Sequence, residues 1–124
     1  MINNHDNPIL KLTFEFSLDI VEFVEILEEK KKYVIAKQLL RSATSIGANV
    51  REAQNAESKA DFIHKMKIAH KEADETQYWI ELCNAAKSYP TNKALEDKIF
   101  IIIKVLSKII GSSKTRSKIV ELSN

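Results

Sequence analysis

Glu72 and Glu75 stand one helical turn apart and are carboxylates that could in principle do acid–base work. In so charged a helix, such glutamates more often pair with Lys or Arg. The three histidines offer less. A di-iron bundle needs glutamates and paired Glu-x-x-His motifs. No Glu here has His three residues later, and the nearest match, Asp61-x-x-His64, is single. His64 and His70 fall toward the polar side of their helix, which predicts solvated histidines and no metal site. No Gly-Lys-Ser/Thr loop occurs, so there is no P-loop. Cys83, the single cysteine, excludes an internal disulfide and a multi-Cys zinc site. It lies on an apolar stripe, where a small buried hydrophobe is its expected role.

The most unusual polar feature is a stripe in the second helix. Arg41, Ser45 and Glu52 cluster within about 40° on a helical wheel, and Ser42 and Asn49 flank the apolar seam. These residues border the core. They predict a network that fixes helix register or a subunit contact, with Arg41 reaching Glu72 or Glu75. A ligand or RNA contact is the functional alternative.

Four helices must position these groups, because no segment shows sustained period-2 alternation. The first runs from about Pro8 to Lys30, with Asn7 as cap and proline at the first helical position. Phe16, Ile20, Phe23 and Leu27 form its main stripe, and Phe14, Leu18 and Val21 a second. The cations at Lys30, Lys31 and Lys32 suit its C-terminus. The second, from about Val34 to Asn55, repeats Ala36, Leu39, Ala43, Ile46, Val50 and Ala53 at 3-4 spacing, with Gly47 read as a close-packing position. The third opens at Ser58 with an acid three residues on, which resembles a capping box. Its stripe is Phe62, Met66, Ala69, Ala73, Thr76, Ile80 and Cys83, and it should end near Ser88, before Tyr89-Pro90. The fourth begins after Thr91 or Asn92, carries Leu95, Ile99, Ile102, Leu106 and Ile109, and should stop at Gly111. Residues 112–124 then read as a polar, frayed tail in which Ile119, Val120 and Leu122 could dock weakly.

The expected fold is therefore all-α, an antiparallel up-down four-helix bundle in a single domain spanning 1–124 with its core at about 8–111. The 124-residue length suits one domain, and only two Gly and two Pro argue against a sandwich or barrel. Second apolar stripes exceed what one core needs. Ile68, Trp79, Phe100 and Ile103 are the expected oligomer interface. With no basic-then-apolar leader and no apolar run near 20 residues, a cytoplasmic protein with no membrane contact is the default.

Net charge is only +2, yet it is uneven. Residues 1–29 hold one base and seven acids, a net −6; residues 30–71 hold ten bases and three acids, a net +7; the remainder is +1. The acidic first segment could lie against the basic middle; charge alone favours complementary solvated faces, and the sharper alternative is a basic surface for RNA or DNA. Lys30, Lys31, Lys32, Lys37, Arg51, Lys67 and Lys71 fall on predicted exposed faces or a loop and are the candidate phosphate contacts.

The string Gln38-Leu-Leu-Arg-Ser-Ala-Thr-Ser-Ile-Gly-Ala-Asn-Val-Arg-Glu-Ala53 resembles the signature of the small bundle proteins encoded in 23S ribosomal RNA intervening sequences of bacteria, the S23 ribosomal protein family. Asp61-Phe62-Ile63-His64-Lys65-Met66, Ala69-His-Lys-Glu72, Glu75-Thr76 and Tyr78-Trp79-Ile80 are similar to its third helix. The resemblance covers about residues 10–112. It implies a four-helix bundle, assembly as a homopentamer, no cofactor and no enzymatic activity. It also implies kinship with the accessory proteins of diversity-generating retroelements, basic pentamers that bind nucleic acid and a reverse transcriptase. The matching positions Arg41, Ser45, Asn49, Glu52, Glu72 and Glu75 read as architectural. The leading expectation is a non-enzymatic oligomer that binds RNA or a ribonucleoprotein partner. The alternative is a protein-interaction scaffold without nucleic acid, and an enzyme comes third.

Overall fold

A computed structural model describes the backbone of residues 7–123 and the side chains of these residues other than 117, 119–121 and 123. The first six residues, on which the expectation of no leader rests, lie outside the described residues. The chain forms four helices, α1 (Pro8–Glu29), α2 (Tyr33–Ala53), α3 (Lys59–Ala85) and α4 (Lys93–Ser123), and the described residues contain no strand. Connections of three, five and seven residues reverse the chain each time. Successive helices pack together, and α1 closes against α4. The direction of packing is visible in the contacts. Asn7 meets Gln54 while Thr13 lies against Gly47, and Asn84 meets Asn92 while His70 meets Ser107.

The core is built from the apolar stripes. Phe16, Ile20 and Leu27 of α1, Leu39, Ile46 and Val50 of α2, Met66 and Ile80 of α3, and Leu95, Ile99, Ile102 and Leu106 of α4 are all fully buried. The 4-3 spacing keeps each set on one side of its helix, so burial removes apolar area without stranding charged groups. Small residues on α2 and α3, Ala36, Ala43, Ala69 and Ala73, are buried between them and let the axes approach.

Helix ends depart from expectation in informative ways. Lys31 adopts φ 63°, and the Lys32 amide donates to Leu27 while the Lys31 amide donates to Glu28. That pair is a Schellman motif with lysine at the left-handed position where glycine is favoured. Asn7 does not cap α1; its amide donates instead to Gln54 Oε1 at 3.1 Å, tying two helix ends together. Ser58 does cap α3, accepting from the Asp61 amide at 3.0 Å, but the Asp61 carboxylate takes the Glu57 amide rather than completing the reciprocal box. α3 stops at Ala85, short of Ser88, because Pro90 would clash with the carbonyl four residues back. Asn92 then caps α4 through the Leu95 amide, and Asn84 brackets Asn92 from α3.

The expected stop at Gly111 is overturned. α4 continues through it to Ser123, and no glycine has positive φ. A C-terminal glycine stop needs the left-handed region, and nothing forces Gly111 into it. In the same way, Gly47 does not mark an approach that forbids a side chain, since an added Cβ would meet Thr13 at 3.5 Å, an ordinary contact. Leu122 is exposed and does not dock; the side chains of Ile119 and Val120 are outside the described set.

Candidate nucleic-acid interface

Arg41 of α2 reaches across to α3, donating from Nη1 to Glu72 at 3.2 Å and from Nη2 to Glu75. Trp79 Nε1 donates to the same Glu75 oxygen at 3.0 Å. The Trp79 indole, then Arg41, hold the Glu75 carboxyl below the usual carboxylate range, and Glu75 raises Arg41. An ionised glutamate pinned by a guanidinium is a poor proton shuttle, so the pair works as a clamp. One turn inward, the Ser42 and Thr76 hydroxyls bond each other at 2.9 Å, fully buried, and Thr76 donates to the Glu72 carbonyl at 2.8 Å. Among the described residues no buried side-chain nitrogen or oxygen lacks a partner. Asn49 donates to Ser45 within α2, to its carbonyl at 2.9 Å and its hydroxyl at 3.1 Å. Glu52 lies outside this network, exposed beside Arg51 at the mouth of the α1–α2 groove.

His64 is exposed, but His70 is not on the polar side. It is half-buried in the α3–α4 seam, with Nε2 2.9 Å from Ser107 Oγ and Nδ1 3.5 Å from Asp74. A helical wheel ranks a residue at the edge of a stripe as polar; a neighbouring helix can still cover it. Cys83 is buried, and burial pushes its thiol up to about 11, so it stays a protonated thiol at neutral pH. Among the described residues, no three His, Cys, Asp or Glu side chains converge as a metal-ligand set.

The candidate phosphate contacts do not form one patch. Lys30, Lys31 and Lys32 make the α1–α2 turn, where Lys32 sits over the Tyr89 ring at 4.9 Å. Lys37 is exposed a turn further on. Arg51 lies at the opposite end of α2, roughly 27 Å away at 1.5 Å per residue. Lys67 and Lys71 are exposed on the first half of α3. The antiparallel register lays that half along the second half of α4. Residues 59–71 and 104–118 together hold nine Lys and Arg and a single acid, Asp61. Block counting missed Lys104, Lys108, Lys114, Arg116 and Lys118, because the block 72–124 also contains the acids of late α3 and early α4. The legible signal was an acid-free run from Lys104 to Lys118. α1 packs against α2, so the acidic segment does lie beside part of the basic middle, but among the described residues its ion pair is Asp19 with Lys98 of α4. Glu15, Glu22, Glu25, Glu28 and Glu29 stay exposed on α1.

Apolar exposure is also uneven. Ile68, Trp79 and Ile103 are half-buried within the single chain, and Trp79 and Ile103 pack on the core. Phe100 is 51% exposed beneath Lys104, whose ammonium lies 4.7 Å from the ring centroid. The larger exposed strip is on α1, with Phe14 at 54%, Leu18 at 53% and Val21 at 40%. It borders a groove of about 420 Å³ against α2, lined by Thr44, Gly47 and Ala48. No helix of the described residues is long and apolar enough to cross a membrane.

A four-helix bundle with a polar α2–α3 clamp and one strongly basic end defines the class. The chain belongs to the 23S rRNA-intervening sequence protein family, which matches residues 5–109. It is similar to a solved protein of unknown function from the S23 ribosomal protein family of Bacteroides thetaiotaomicron. The two share 42% identity over 82% of this chain and 97% of that one, with a TM-score of 0.78. No curated protein matches the sequence.

Proposed function

We propose that this chain is a non-enzymatic subunit of a homo-oligomer, the pentamer that the family resemblance implies, and that the oligomer binds RNA through its basic face. The supporting observation is the concentration of Lys and Arg along early α3 and late α4, which pack side by side, while most acids of α1 stay exposed on their own helix. A bundle whose cations were merely solubilising would intersperse the two signs. Phosphate neutralisation by several of these cations releases counterions, so binding should weaken steeply with salt. Fluorescence anisotropy with a structured RNA and with duplex DNA, repeated across a salt series, tests this. Binding at low salt with a steep negative slope is expected; no binding to either probe at low salt overturns the reading.

The exposed Phe14–Leu18–Val21 strip favours a second reading, a protein-interaction scaffold in which the same oligomer engages a protein partner without nucleic acid. Affinity purification with and without nuclease separates the two, because a partner bridged by RNA is lost on digestion. A reverse transcriptase or another ribonucleoprotein component is the partner class that the resemblance suggests.

A further inference from the structure

Lys67 of α3 and Lys114 of α4 line the same α3–α4 groove, and Lys67 holds the Lys114 ammonium below the usual lysine range. Neither lysine makes an ion pair among the described residues. The groove they flank encloses about 370 Å³, and Ser107, with Oγ 2.9 Å from His70 Nε2, is a polar group in its lining. Gly111 lies beside them, and a Cβ there would meet nothing within 4 Å. Packing therefore gives no reason for glycine in the middle of α4, whereas an open groove does.

Two like charges held together without a counter-ion oppose folding, and an oxyanion between them converts the repulsion into two attractions. We propose that this groove is a phosphate-binding site in which Lys67 and Lys114 clamp a phosphate group from opposite sides and the bare Gly111 leaves its entrance open. The clamp requires only a phosphate oxyanion; that the phosphate belongs to an RNA strand rests on the reading above. Among the described residues no acid lines the groove, and Asp74, which approaches its edge, is engaged with His70.

The chain carries only two glycines, which makes them built-in probes. Full-length protein labelled with ¹⁵N-glycine is titrated with inorganic phosphate at constant ionic strength, with chloride as the balancing anion. The Gly111 amide resonance should shift saturably while Gly47, on the α1–α2 side, stays still. Lys67→Gln and Lys114→Gln should each weaken that binding about tenfold, the effect of losing one charge-assisted contact. Gly111→Gln, which keeps both lysines and improves helix propensity but removes the reporter, is titrated with the same phosphate by isothermal calorimetry beside the parent, and should block the binding that the parent shows. In the RNA arm, each lysine variant should lower the salt slope by about one phosphate. Absence of a saturable Gly111 shift, or Gln variants that bind phosphate like the parent, overturns the site even if RNA still binds. A saturable shift without any RNA binding upholds the site and removes RNA as its source of phosphate.

Discussion

At the scale of single residues, Glu75 joins two helices because two groups, the Arg41 guanidinium and the Trp79 indole, converge on one carboxylate oxygen. Its folded-state value lies below the ordinary glutamate value of 4.5, with the Trp79 indole as the leading cause and Arg41 next. A depressed carboxylate contributes stability that is present above that ordinary value and is lost as the pH falls through the folded value. Melting temperature should therefore fall on acidification, and Glu75→Gln should flatten that dependence; circular dichroism melts across a pH series check it. Lys31 makes the opposite point, a local misfit that the fold tolerates. Its positive φ costs an L-residue roughly 1 kcal/mol, so Lys31→Gly should stabilise the chain by about that amount in urea melts. Arg41 and Ser42 stand out in the sequence as polar residues bordering an apolar seam, and Glu72 and Glu75 as the expected partners of Arg41. Their joining through Trp79 and Thr76 could not be read there, since both sit among apolar residues whose spacing marks them for packing.

At the scale of elements, the apolar periodicity was legible throughout, because 3.6-residue spacing is a property of each segment alone. The ends were less so. Pro90 acts four residues upstream, Asn7 is drawn off its cap by Gln54, and α4 runs through Gly111 because glycine permits a stop without enforcing one. Gly111→Ala should accordingly raise stability by up to about 1 kcal/mol, since the added methyl meets open space and a mid-helix alanine is favoured. Gly47→Ala should be neutral or stabilising for the same reason, its methyl touching Thr13 at ordinary distance. Ser58→Ala should cost about 1 kcal/mol through loss of the Asp61 amide bond. Equilibrium denaturation of the three variants checks their order.

At the scale of the whole molecule, one chain leaves Phe14, Leu18 and Val21 exposed on α1, Phe14 in the groove against α2. Light scattering at micromolar concentration should give a multiple of the 14.2 kDa chain mass. Phe14→Glu combined with Leu18→Glu should reduce that mass while preserving helical content. A monomeric parent would remove the oligomer and, with it, the avidity that a multi-subunit basic face brings to RNA. Ile68, Trp79 and Ile103 are weaker candidates for the interface, because the chain's own packing already half-covers them.

The sequence by itself determined four amphipathic helices, the side of each that faces the core, and the uneven placement of charge. These follow from spacing and composition, which act over a few residues. Tertiary structure decided which polar faces meet. Packing early α3 against late α4 brings Lys67 to Lys114 and gathers two modest basic segments into one face. It also pairs Asp19 of α1 with Lys98 of α4 rather than with a cation of residues 30–71. Helical periodicity orients a side chain about its own axis and carries no information on the neighbour across the groove. That neighbour is set by chain reversal and register, which close packing of the core fixes for the molecule as a whole.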